Sequence, residues 1–203
     1  VPMLPKVLSN GICSLNPDED RLTLSCIMEI DDSGQVVNHT IEKSVINSCA
    51  RLVYDDVSDI LEHDDPVQSE KLNEILAEIK MMGELAEILR NKRKHQGSLD
   101  FDLDEAVIEV DEYENPIRIE VEERRTANRL IEEFMLIANE TVAEHFFWME
   151  IPFVYRIHEK PDVEKMTELR NYLANFNIAF RGNPDNVHPK MLSTIIDNLA
   201  GEP

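Results

Sequence analysis

A chain of 203 residues with 42% hydrophobic content can bury one sizeable core, so one compact unit is expected. Its formal net charge of −21 argues, taken alone, against a chain that grips nucleic acid by its own charge, because phosphate contacts need lysine and arginine. No apolar run reaches the roughly 18 residues of a membrane span and no charged-then-apolar leader opens the chain, so neither membrane insertion nor export is expected.

In chain order, residues 21–30 alternate around Leu22, Leu24, Cys26 and Met28, the pattern of a half-buried strand. Asp31-Asp-Ser-Gly34 is a turn, and 36–45 returns as the partner strand of a hairpin. A helix is predicted over 47–61. Pro66 suits the first turn of a longer helix carrying Leu72, Ile75, Leu76, Ile79, Leu85 and Leu89. Residues 98–110 read as extended, 111–116 as a turn and 117–121 as extended again. A long helix over 125–147, a short strand at 153–157 and helices over 161–176 and 189–199 complete the pass. Hairpins mixed with long helices predict an α/β fold of the mixed α+β kind, with the helices packed on hairpin-rich sheet.

The helix over 125–147 has three sides. At about 100° per residue, Ala127, Leu130, Phe134, Ile137, Ala138 and Thr141 form an apolar face. Arg129, Glu133, Glu140 and Glu144 are expected to face water. Arg125, Asn128, Glu132 and Asn139 share a third arc, edged by Met135 and Leu136. That arc reads either as more solvent face or as the lining of an internal channel.

Acidic clusters at Asp55/Asp56/Asp59, Asp64/Asp65 and Asp100/Asp102/Asp104 are the places to look for a hard cation. The last alternates along an extended run, so its three carboxylates share a face: a solvated strand surface or a weak magnesium site. It fails as a calcium loop because Glu105 stands where the sharp-turn glycine is needed. The basic run Arg90-Asn-Lys-Arg-Lys-His95 at a helix end suits either the helix dipole or phosphate. The six histidines lack metal-ligand spacing, and His145, on the apolar side, reads as a core histidine. Three cysteines without Cys-x-x-Cys spacing read as buried, reduced thiols of a cytosolic protein. No nucleophile elbow and no glycine-rich phosphate loop is present.

Leu130-Ile-Glu-Glu-Phe-Met-Leu-Ile-Ala-Asn-Glu-Thr-Val-Ala143 resembles a signature helix of the ribonuclease II/ribonuclease R family of 3′→5′ exoribonucleases. Other stretches agree in the family's order: Pro2-Met-Leu-Pro5 with Leu8-Ser-Asn-Gly-Ile-Cys-Ser-Leu15, Arg51-Leu-Val-Tyr-Asp-Asp-Val57, Gly97-Ser-Leu-Asp-Phe-Asp102 and Arg156-Ile-His-Glu-Lys-Pro161. The last, with Ala138-Asn-Glu-Thr141, is more similar to the ribonuclease R branch. The resemblance implies that residues 1–203 are the central part of one catalytic domain, without the flanking cold-shock and S1-type domains that supply much of the RNA affinity. The start at Val1 and the end at Pro203, straight after a helical pattern, fit a piece of a longer polypeptide.

By the same resemblance, the parent would be a cytoplasmic, Mg²⁺-dependent enzyme that degrades RNA processively from a single-stranded 3′ end to nucleoside 5′-monophosphates. Neither DNA nor membrane is expected as a partner. Phe101 matches the aromatic that stacks on the terminal base, as suits a sequence-indifferent nuclease, although the strand pattern alone also fits a core residue. Tyr54 and Glu132 match positions that contact the terminal sugar, where a phenol and a carboxylate can hydrogen-bond a 2′-hydroxyl. Read without the resemblance, Tyr54 is an amphipathic-helix residue with its hydroxyl exposed. Asn128 and Asn139 would support that site. The family's metal-binding string of the Asp-x-x-Asp-x-x-Asp-Leu-Asp-Asp type is not in this sequence, nor is the Ser-Pro-Ile-Arg-Arg-Tyr motif whose arginine would stabilise charge on phosphate. No catalytic residue and no metal ligand is therefore assigned here, and the fragment alone should not hydrolyse RNA. Two other readings compete: a non-catalytic acidic interaction module, and a self-contained metal-dependent hydrolase built on Asp100, Asp102 and Asp104.

Overall fold

A computed structural model describes residues 3–99 and 105–199. The chain divides into two compact units, one reaching Ile88 and including Arg124–Phe153, the other made of Leu89–Glu123 and the residues from Val154 onward.

The first unit begins with a π-helical turn, Val7–Ile12, kinked at Gly11, which the sequence pattern did not reveal. Strands β1 (Asp20–Ile30) and β2 (Val36–Asn47) form an antiparallel hairpin with Asp20 opposite Asn47 and Met28 opposite His39. Asp31 makes the turn: its Oδ1 accepts from the amides of Ser33 (2.9 Å) and Gln35 (2.8 Å), while Gly34 supplies the positive φ of 76°. One hairpin face carries Thr23, Ser25 and Ser44, joined by hydroxyl hydrogen bonds of 2.6–3.2 Å. On the other, Leu22, Leu24 and Val45 are exposed.

Helix α1 (Tyr54–His63) is shorter than the predicted 47–61. The hairpin claims the missing residues: the Asn47 side chain donates to Asp20 (2.8 Å), Ser48 bridges to Pro17, and Val53 is extended. The long helix predicted from Pro66 is also interrupted. Helix α2 (Pro66–Lys71) is capped by Asp65, whose Oδ1 accepts from Val67 and Gln68 (2.9 Å each). Leu72 leaves helical geometry, a 3₁₀ turn covers Asn73–Ile75, and α3 (Leu76–Gln96) follows. The break turns Leu72, Ile75 and Leu76 together onto the core of Val57, Ile60, Ile79 and Ala127. Fully burying a side chain such as Ile60 contributes about 2–3 kcal/mol. Gly83 permits close packing of α3 on α1, since a Cβ there would stand 3.0 Å from Leu61.

Helix α4 (Thr126–Trp148) completes this unit and buries Ala127, Leu130, Glu133, Ile137 and Thr141. Glu133 corrects the expected water-facing side. It lies between Leu130 and Ile137 at i+3 and i−4 spacing, so it follows the inward stripe and is only 4% exposed.

In the second unit, β3 (Glu105–Val110) and β4 (Pro116–Glu122) form an antiparallel hairpin. Its turn repeats the Asp31 arrangement: Asp111 Oδ1 accepts from Tyr113 (2.8 Å) and Asn115 (2.9 Å). Helices α5 (Val163–Ala174) and α6 (Pro189–Leu199) follow, the first capped by Asp162. No strand forms at 153–157; residues 151–162 lack regular structure. Phe153 instead stacks on Phe146 of α4 with ring centroids 4.8 Å apart, a side-chain contact that asks no strand ladder of the backbone. Long helices with antiparallel hairpins are nonetheless the mixed architecture expected.

Candidate functional site

The acidic first turn of α1, Asp55 and Asp56, favours its positive end, and Tyr54 opens the helix half-exposed. The Tyr54 ring lines an apolar cavity of about 210 Å³ with Leu52, Val53, Val57, Ile79, Met82, Ala127, Leu130 and Ile131. Glu132, the next residue after Ile131 on α4, is not among the residues that line it.

A helix start leaves several amides without intrahelical partners. The N-cap of α4 is Arg125, which has no side-chain acceptor for that task. Helix α1 supplies the acceptors. Glu62 Oε1 accepts from the Thr126 amide (2.9 Å), and the fully buried Ser58 hydroxyl accepts from the Ala127 amide (3.1 Å). The Arg125 guanidinium donates to Asp59 (2.6 Å) and Glu62 (2.8 Å) and stands 3.5 Å from Asp55. Hydrogen bonds from Arg125 and then from Thr126 hold the Glu62 carboxyl down to about 2, and Glu62 and Asp59 push the Arg125 guanidinium up. Asn128 closes the start by accepting from the Arg125 amide at 3.3 Å. Its side chain thus has a structural role besides its place on the third arc. Asn139 lies farther along α4, exposed.

Glu132 is paired too. Arg124 Nε donates to Glu132 Oε1 (2.9 Å), and an amino group of the same guanidinium donates to Oε2. The interhelix lock and this fork were not predicted. The signal was two arginines directly before a helix with no Ser, Thr, Asp or Asn at its N-cap, which requires acceptors from elsewhere.

The acidic clusters that fall on described residues are engaged internally. Arg125 takes Asp55 and Asp59, Lys71 takes Asp56 (2.8 Å), Lys80 takes Asp64 (2.7 Å), and Asp65 caps α2. Among the described residues no group of three metal-ligating side chains converges. These carboxylates do not fit a divalent cation. Phe101, Asp100, Asp102 and Asp104 lie outside the described residues. Arg93, Lys94 and His95 occupy the last turn of α3, and Arg93 donates to the Ser98 hydroxyl (2.7 Å). His145 shares a 2.9 Å hydrogen bond with His39 of β2. The cysteines correct another expectation: all three are free, but Cys13 and Cys49 are exposed and only Cys26 is partly covered, which pushes its thiol up. Cys13 follows the kinked π-turn and Cys49 lies in the irregular link after β2, where no packed face is available to bury them.

The profile of the RNB domain matches residues 1–202. The chain belongs to the RNB-domain family. It is 43% identical over 203 residues to ribonuclease R 1 of Lactococcus lactis, covering all of this chain and 25% of that one. With ribonuclease R of Thermotoga maritima the identity is 43% over 204 residues, covering 100% and 28%. The chain thus spans about a quarter of the length of these relatives. Mycoplasma genitalium RNase R is similar in structure both in its apo form and in complex with ribose methylated single-stranded RNA. Each comparison gives a TM-score of 0.91 at 29% identity, over 100% of this chain and 31% of that protein. The mixed helix-and-hairpin architecture expected from the sequence pattern is therefore shared with about a third of that RNase R chain. Among the described residues no helix is long and apolar enough to cross a membrane.

Proposed function

We propose that this chain is the middle of the catalytic domain of a ribonuclease R-type enzyme, a processive 3′→5′ exoribonuclease that releases nucleoside 5′-monophosphates. Within it, Tyr54 and Glu132 hydrogen-bond the terminal ribose and Phe101 stacks on the terminal base. Asn139 extends the Glu132 stripe along α4, while Asn128 supports it by fixing the helix start. The substrate is RNA with a single-stranded 3′ end, and the enzyme works in the cytoplasm.

The observation that carries this reading is the pairing of two candidate sugar contacts with a locked helix pair. Tyr54 begins α1, Glu132 stands on α4, and Arg125 with Ser58 and Glu62 holds those helices in register. Recognition of small hydroxyl groups needs donors and acceptors fixed by their supports, and this lock provides that. The RNB match over the whole chain and a relative solved with ribose methylated RNA support the same assignment.

Mg²⁺ is the proposed cofactor of the parent enzyme. The carboxylates of the Asp55/Asp56/Asp59 and Asp64/Asp65 clusters are committed to arginine, lysine and backbone partners, which supports ligands supplied, as the resemblance implies, by the parent's aspartate motif. An RNA digestion assay with Mg²⁺ tests the whole proposal. The full-length parent should release nucleoside monophosphates, and the 203-residue chain should release none. Cleavage by the isolated chain would overturn the proposal in favour of a self-contained hydrolase.

A further inference from the structure

We propose that Arg124 is a positioning residue that sets RNA-over-DNA selectivity at the 3′ terminus by fixing both carboxylate oxygens of Glu132. The inference rests on the reading of Glu132 as a ribose contact and adds the group that makes such a contact selective.

Arg124 and Arg125 are adjacent in sequence but serve different partners. Arg125 ties α4 to α1 through Asp59 and Glu62. Arg124 instead reaches eight positions along the chain and meets both oxygens of Glu132, Nε to Oε1 at 2.9 Å and an amino group to Oε2. Two parallel hydrogen bonds of this kind fix the plane of a carboxylate as well as its position. An ion pair with side chains 31% and 42% exposed adds little to stability. Its consequence is orientation.

An ionised carboxylate has about four acceptor sites, two on each oxygen. The Arg124 fork occupies one per oxygen and leaves one per oxygen open. The 2′- and 3′-hydroxyls of a terminal ribose are adjacent donors, matched to two neighbouring acceptors held in one plane. Without the fork, the terminal torsion of Glu132 samples a broad range, and ordering it on binding costs entropy. A 2′-deoxy terminus offers one donor fewer and leaves a fixed, partly desolvated oxygen short of a partner, the situation in which hydroxyl-reading sites discriminate best.

The test uses the full-length polypeptide that contains this segment. Two otherwise identical oligoribonucleotides, one ending in ribose and one in 2′-deoxyribose, compete in the same reaction. The ratio of their kcat/KM values is then independent of how much enzyme is folded. Glu132→Gln should erase the preference for the ribose terminus. Arg124→Gln should lower it about tenfold, mostly through the ribose substrate, the loss expected for one hydrogen bond to a charged group. Arg124→Lys keeps the charge without the fork and should give an intermediate ratio; it also decides the matter if Arg124→Gln does not fold. An equal slowing of both substrates by the Arg124 variants, with the ratio intact, would mean a merely structural role and overturn the inference. If Glu132→Gln itself leaves the ratio unchanged, the ribose-contact reading falls and the inference with it.

Discussion

At its first turn, α4 is met by Ser58, Asp59 and Glu62 of α1, which take up two of its free amides and the Arg125 guanidinium. Near its last turn, the same helix is joined to β2 by the hydrogen bond between His145 and His39, and Phe147, Trp148 and Met149 stand exposed. A fully buried hydroxyl cannot be lost without leaving the buried Ala127 amide unsatisfied behind it. Two partly covered imidazoles can exchange each other for water. The contrast places the firm end of α4 beside Tyr54 and Glu132, and leaves the other end held by contacts that are easily replaced.

Ser58→Ala should break the firm end most. The hydroxyl is fully buried, so its removal strands the Ala127 amide, and the combined loss of a buried hydrogen bond and a helix cap should cost about 2 kcal/mol in urea unfolding. A loss below about 0.5 kcal/mol would place the cap elsewhere and erase the asymmetry.

Glu62→Gln is expected to cost about 1–2 kcal/mol near neutral pH, because the amide oxygen can still accept from Thr126 but the charge facing Arg125 is gone. Its pH dependence sharpens the comparison. The folded carboxyl sits at about 2 against an ordinary 4.5, so the unfolded chain takes up its proton first as pH falls. The contribution is complete above about 4.5 and disappears progressively as pH drops through about 2. Urea midpoints of the native chain and Glu62→Gln should therefore converge in acid. Parallel curves down to about pH 2 would show that Arg125 does not hold that carboxyl in the folded state.

The sequence revealed these features unequally, for physical reasons. Strand alternation and the Asp31 turn located the first hairpin almost to the residue, because local pattern and local turn chemistry agree there. The α4 apolar stripe was legible through Leu130 and Ile137, yet Glu133 was placed on the wrong side, since a charged residue near the edge of a stripe is assigned by its polarity. The break at Leu72 answers to core packing against Val57 and Ile60, a tertiary demand with no local mark. At the candidate site, Tyr54 and Glu132 were reached by resemblance, and no periodicity singles them out. The partners Ser58 and Glu62 lie more than 60 positions from the amides they cap, so only the folded chain joins them.

The smallest expected effect lies at the loose end. His39→Ala removes one imidazole and leaves His145 partly covered but able to reach water, so the loss should be about 1 kcal/mol or less. Global unfolding is a blunt measure of so small a change; amide hydrogen exchange resolves where it falls. Exchange should quicken in the last turns of α4 and in the hairpin around Met28 of β1 and His39 of β2, while the amides of Thr126 and Ala127 keep their protection. Ser58→Ala should give the opposite map, with exchange quickened at the first turn. If His39→Ala instead unprotects Thr126 and Ala127, the two ends open as one cooperative unit, and the firmness beside Tyr54 and Glu132 belongs to the whole helix.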